Sequence, residues 1–218
     1  MSYLVKIDSD ESLREGLNEA VKVISEGGVV AFPTESFYGL GVDATNPHAV
    51  KRLFRIKKRD PDLPILILIS SLRRLPRYVT SIPPGAKRMG KEFWPGGLTM
   101  IFQSSPVLPS ALTAGKGKVG IRVSSHPLAN ALSRALDVPI TGTSANISRR
   151  PPCIMADQVV EFLGNDLDLI LDGGITEGRY PSTILDVTVD PPLILREGII
   201  KTDEILKSGI YRKIINPA

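Results

Sequence analysis

Apolar positions recur along this chain with two periods, and their alternation outlines the fold. Leu13, Leu17, Ala20, Val21 and Ile24 return every three or four residues. That spacing predicts an amphipathic helix over residues 10 to 26, opened by a capping box on Asp8 and Glu11 and closed by Gly27. A second helix starts from Asn46 as cap and Pro47 in the first turn, carries Val50, Leu53 and Phe54 on one face, and ends near Lys57. Helical patterns return at 84 to 92, at 127 to 136 with Leu128, Ala131, Leu132 and Ala135 inward, and at 156 to 163. Between them lie short apolar runs: VVAF at 29 to 32, LTMIF at 98 to 102, VGIRV at 119 to 123, PITG at 139 to 142, DLILD at 168 to 172, STILDVT at 182 to 188 and LILRE at 193 to 197. The run ILILI at 65 to 69 is apolar on both faces, as an interior strand is. Strands and helices alternate, so the predicted class is α/β, an open twisted mixed sheet flanked by helices. No repeat, low-complexity linker or composition break divides the chain, which predicts one domain over 1 to 208 and a short tail over 209 to 218.

Composition narrows the chemistry. A chain of 218 residues can bury a substantial core. The single cysteine, Cys153, excludes an intramolecular disulfide and a multi-thiolate metal site, and the two histidines, His48 and His126, lack carboxylates at ligand spacing, so no structural metal is expected. Charges occupy the N-terminus where a signal peptide needs an apolar core, and PILILIS is too short to span a bilayer. A cytoplasmic protein without membrane contact is the expectation. The net charge of +4 is mild, but basic residues cluster in KRLFRIKKR at 51 to 59, RRLPR at 73 to 77, GKGK at 115 to 118 and SRR at 148 to 150. Such clusters suit nucleotide phosphates or RNA, or else are solvated helix faces.

The polar strand ends are where chemistry can sit. After VVAF the chain breaks into Pro33-Thr34-Glu35-Ser36, followed by glycines at 39 and 41, a crowd of hydroxyls around one carboxylate. GKGKVG at 115 to 120 has the letters of a dinucleotide fingerprint but precedes a strand, and GLGVDA at 39 to 44 is looser still. No phosphate-loop, GxSxG or HExxH motif occurs. Lys57 and Arg59 leave a helix end with alternate spacing, suited to hold a polyphosphate or to complement the helix dipole. TGTSAN at 141 to 146 offers hydroxyls and an amide that can bind a ligand or serve their own turn. Arg122 stands inside an apolar strand and needs a polar groove or a carboxylate to offset its desolvation. Trp94 in WPGG reads as a packing anchor; Ser182, Thr183 and Arg196 complete the set.

In order, these segments resemble the YrdC-like threonylcarbamoyl-AMP synthases: PTESFYGLG for PTETxYGLG, Lys57 and Arg59 for KxR, FWPGGLT for WPGPLT, VGIRVSSHP for VRxPxHP, TSANIS for the SAN segment, STILD for STIxD and LREG for LRxG. The resemblance covers nearly the whole chain. It implies a concave electropositive face that joins L-threonine, bicarbonate and ATP, with Mg2+ on the polyphosphate, into threonylcarbamoyl-adenylate and pyrophosphate. The product would pass to a tRNA threonylcarbamoyl transferase machinery, with RNA or tRNA contact a further expectation. It implies Lys57, Arg59, Ser144 and Asn146 as catalytic signature positions, Arg59, Lys118, Ser144 and Arg196 along ATP, and Thr34, Ser36, Arg122, Gly142 and Ser182 around threonine. Departures are Leu63 and Leu68 where relatives carry Asn and His, Arg149 for the usual Gly after SANxS, and Ser36 for the second PTET threonine. The extra C-terminal domain of longer members is missing from the sequence, so a lid is expected from the tail or from residues 147 to 155. The rival readings are a non-catalytic RNA-binding module of the same fold and a carbamoyl-phosphate enzyme; the latter's relatives carry acylphosphatase and zinc-finger domains, for which this chain has neither length nor cysteines.

Overall fold

A computed structural model of the chain describes residues 3 to 178 and 180 to 216. The five predicted helices form within a residue or two of expectation: α1 Asp10–Ser25, α2 Pro47–Lys57, α3 Pro84–Phe93, α4 Pro127–Ala135 and α5 Ala156–Leu163, followed by α6 Thr202–Lys207. The capping box of α1 lies on other residues than predicted. Ser9 is the cap, its hydroxyl accepting the Ser12 N–H at 3.1 Å while Ser12 Oγ accepts the Ser9 N–H at 3.0 Å. Glu11 falls inside the first turn, so a carboxylate there complements the helix dipole instead of closing the box. In α2 the Asn46 amide oxygen accepts the His48 and Ala49 N–H groups, and Pro47 fills the first helical position.

The strands are β1 Tyr3–Lys6, β2 Val30–Pro33, β3 Tyr38–Gly41, β4 Ile67–Leu68, β5 Leu98–Gln103, β6 Lys118–Arg122, β7 Ile140–Thr141, β8 Thr143–Ser144, β9 Leu169–Asp172, β10 Thr183–Asp186 and β11 Leu193–Arg196. They form two mixed ladders, ordered β1-β9-β2-β3-β8 and β11-β10-β5-β6-β4-β7. The ladders meet in TGTSAN, where the sequence suggested a turn. β7 ends one sheet, β8 ends the other, and Gly142 is the step between them. Thr141 stitches the joint: its N–H donates to Val42 O at 3.1 Å, and its hydroxyl donates to Leu40 O at 3.0 Å while accepting the Val42 N–H.

Apolar burial lies on both sides of this joint. α1 and α4 cover one face of the first sheet through Ala20, Ile24, Leu128 and Leu132 against Leu169 and Leu171. Each such side chain contributes roughly 1.5–3 kcal/mol, and truncating Ile24 to Ala would cost about 2–5 kcal/mol. The larger cluster runs from Leu53 and Tyr38 through Ile67 and Phe102 to Ile194. Trp94 belongs to it as the packing anchor expected, its indole N–H donating to Leu98 O at 2.6 Å. GKGKVG runs into β6 and opens no helix, with Gly115 and Gly117 in left-handed turns. Among the described residues no helix is long and apolar enough to cross a membrane.

Candidate active site

Where the two sheets meet, they enclose a groove of about 520 Å3. The first sheet supplies the turn after β2, the start of β3 and β8; the second supplies β5, β6, β10 and the end of β11. Nine of the eleven sequence-predicted site residues line it: Thr34, Ser36, Arg59, Arg122, Gly142, Ser144, Asn146, Ser182 and Arg196. Three guanidinium groups and no carboxylate face its wall. A second cavity of about 500 Å3 adjoins it, sharing Arg59, Ser144 and Asn146.

The PTES turn is built before any ligand arrives. Thr34 Oγ1 donates to Phe37 O at 2.7 Å and accepts the Ser36 and Phe37 N–H groups, so its hydroxyl is consumed in holding the turn. That turn aims Glu35 at Arg122, which pairs with it, while Ser124 Oγ donates to the other carboxylate oxygen. Glu35 is therefore the acceptor that lets a guanidinium lie inside an apolar strand with its side chain only 5% exposed. Two buried polar atoms of the groove have no partner among the described residues, Ser36 Oγ and Arg122 Nε. Opposite them Ser182 Oγ shares a hydrogen with Thr99 Oγ1 at 2.9 Å, and Arg196 donates to Ser182 O at 2.8 Å.

Lys57 and Arg59 do not project together, as alternate spacing suggested. Lys58 takes a left-handed backbone, φ +47°, at the end of α2, and this reversal separates its neighbours. Lys57 turns inward, 1% exposed, and its ammonium donates to Ser144 O and to both Asn146 oxygens. Burial, then the Arg59 charge, lower it to about 7. Ser144 Oγ also donates to Asn146 Oδ1, and Asn146 Nδ2 donates to Arg150 O, so Lys57 and Asn146 tie the segment after β8 in place. Lys57 lines only the second cavity and touches the first through its bonds to Ser144 and Asn146. Arg59 spans both cavities, fixed by bonds to Leu63 O and Pro64 O at 2.9 and 2.8 Å.

Lys118 stands outside both cavities. It lies on the Gly120 and Arg122 face of β6, but its ammonium pairs with Asp186 at 3.0 Å. Burial raises the Asp186 carboxyl, but bonds from Thr188 and Lys118 outweigh it and leave the group below the usual range. Leu68, where relatives carry a polar residue, is fully buried in the first-sheet cluster, and Leu63 lines the second cavity. Pro152 lines the groove from the 147 to 155 segment, while no described residue of the tail lines either cavity. Sequence reading missed Thr99, Gly120, Leu66 and Ile184 in the groove. Thr99, Gly120 and Ile184 lie within the apolar runs of β5, β6 and β10, and Leu66 just precedes β4, so no polar signal marks their face.

The family model described as telomere recombination, covering the Sua5, YciO and YrdC proteins, matches residues 22 to 198. The threonylcarbamoyl-AMP synthase of Pyrococcus abyssi (strain GE5 / Orsay) is 39% identical over 201 residues, covering 90% of this chain and 59% of that protein. The enzyme of the same name from Bacillus subtilis (strain 168) is 40% identical over 188 residues, 86% of this chain and 54% of its own. The chain thus spans a little over half the length of these relatives. The crystal structure of P. abyssi Sua5 complexed with L-threonine superposes with a TM-score of 0.91 at 36% identity, over 100% of this chain and 62% of that one. E. coli YciO superposes with a TM-score of 0.83 at 30% identity, over 94% of this chain and 100% of its own. By sequence and by fold, the chain belongs to the Sua5/YciO/YrdC family.

Proposed function

We propose that this chain is an L-threonylcarbamoyladenylate synthase, a nucleotidyltransferase that condenses L-threonine, bicarbonate or CO2 and ATP and releases pyrophosphate. The observation that carries the reading is a pair of buried atoms without a partner among the described residues, Ser36 Oγ and Arg122 Nε, on side chains that line the same groove as Arg59, Ser144 and Arg196. Buried polar groups without partners are costly, so a groove lined by two residues that keep them is shaped for a polar guest. A zwitterion satisfies both: its carboxylate accepts from the Arg122 Nε that the pairing with Glu35 leaves free, and its hydroxyl or amine meets Ser36 and the Ser182–Thr99 pair. The relative whose solved structure contains L-threonine has the same fold at 36% identity.

The reaction asks for alignment and charge balance, with no enzyme nucleophile. The threonine amine, as its free base, adds to CO2 and loses a proton to give a carbamate. A carbamate oxygen then attacks the α-phosphorus of ATP, and pyrophosphate departs. Two anions must be brought together, and preorganised guanidinium groups at Arg59 and Arg196 offset their repulsion. Cys153 has no part in this; burial pushes its thiol up to about 11. A magnesium ion would be carried by the nucleotide and held chiefly by its phosphate oxygens and water. Asp60, at the second cavity, is the one carboxylate among the residues lining either cavity, which fits an ion carried by the nucleotide. When bound, the ion neutralises polyphosphate charge. The product would supply a tRNA threonylcarbamoyl transferase in the cytoplasm, where a lone buried cysteine stays reduced.

Calorimetric titration with L-threonine tests the groove. One saturable site is expected. Ser36→Ala should weaken it about tenfold, the worth of one hydrogen bond to a charged group, while leaving the unfolding midpoint at or above wild type. Equal affinity in the variant, or no threonine binding by the wild type, would contradict the assignment.

A further inference from the structure

The second cavity holds more cationic charge than the groove residues explain. Lys58, Arg59 and Arg149 line it against a single carboxylate, Asp60, while the Lys57 ammonium is already spent on carbonyl oxygens. Ser148 donates its backbone N–H to Lys57 O, and its buried Oγ has no partner among the described residues. Arg149 makes no ion pair among the described residues. Its backbone is the unusual feature. A turn closed by the Arg150 N–H on Ile147 O places Arg149 at φ +70°, the left-handed region that favours glycine. Glycine would suit this turn without strain, yet the position carries the longest cationic side chain, facing a cavity continuous with the groove.

We propose that Arg149 is a phosphate-binding residue of this second cavity. Resting on the proposed function, the occupant is the β,γ end of the nucleotide and then the pyrophosphate it becomes. Arg149 supplies a bidentate fork to phosphate oxygens, Lys58 and Arg59 supply charge, and the Ser148 hydroxyl donates the bond it otherwise lacks. The left-handed backbone is held at some cost to stability, and the turn keeps Arg149 on the wall of the cavity.

The test uses the full chain, titrated calorimetrically with inorganic pyrophosphate, with ATP and with AMP, alongside the unfolding midpoint. Arg149→Gly should bind pyrophosphate and ATP about tenfold more weakly and AMP as the wild type does, with its midpoint at or above wild type. Arg149→Lys, which keeps the charge and the strain but loses the fork, should fall between. Unchanged pyrophosphate affinity in Arg149→Gly would overturn the proposal. So would weakening of AMP by the same factor, a fallen midpoint, or a wild type that does not bind pyrophosphate. Failure of the synthase reading would register elsewhere, as pyrophosphate release indifferent to threonine and bicarbonate while pyrophosphate still binds through Arg149.

Discussion

Two ion-handling residues, Arg122 and Lys57, decide how the groove behaves, and both are buried. Arg122 depends on Glu35 for its charge balance, so Glu35→Gln leaves a buried guanidinium uncompensated and should cost about 3–5 kcal/mol in urea unfolding. Threonine brings a carboxylate to the same guanidinium. It should therefore raise the unfolding midpoint of Glu35→Gln by more than it raises that of the wild type, and an equal or smaller rise would mean that Arg122 does not receive the carboxylate. Lys57 sets a different test. Its native ammonium titrates at about 7, well below its usual 10.5, so between those values the unfolded chain binds more protons than the native one. Stability from this residue rises with pH across that window. The stability of the wild type relative to Lys57→Met should grow between pH 7 and pH 10; a pH-independent difference would show that the ammonium stays charged in its carbonyl cage.

At the scale of elements, the joint between β7 and β8 makes the site, because one step of chain lets the two sheets line one cavity. A Cβ on Gly142 would lie 2.7 Å from Leu66 Cδ1 and 2.8 Å from Leu68 Cγ. Gly142→Ala must therefore push β4 away from the joint, with a loss of about 1–3 kcal/mol in chemical denaturation. Since Leu66 lines the groove, weaker threonine binding should accompany it. The same joint explains what the sequence hid. Long amphipathic helices and apolar strands were legible because their period is local. β3 was not: YGLG reads as a flexible loop, yet Gly41 is required because a Cβ there would sit 2.7 Å from Phe32 Cε1 of the paired strand. β8, at two residues, is specified by its partner β3 alone, and β1 is a largely exposed edge strand without an alternating pattern. The residues brought to the groove were mostly legible from polar motifs, whereas the direction of Lys57 and Lys118 depended on a left-handed Lys58 and a distant Asp186 that no spacing announces.

Across the whole molecule, the catalytic reading requires that the groove work independently of the periphery. The C-terminal residues give a way to see this. Ile210, Tyr211 and Ile214 pack against the larger core, and Ile215 exchanges backbone bonds with the Pro192–Ile194 segment. Deleting residues 209 to 218 should cost about 2–4 kcal/mol from lost apolar burial, yet leave threonine affinity unchanged, since no described residue of this stretch lines either cavity. Concerted loss of both would place the tail in the site. The central claim is that one groove joins an amino acid, a one-carbon unit and a nucleotide in a fixed order. Pyrophosphate release from the purified chain with magnesium and ATP, omitting threonine and bicarbonate in turn, tests it most directly. The account predicts release only when both are present; release that proceeds without either, or none in the complete mixture, would contradict it.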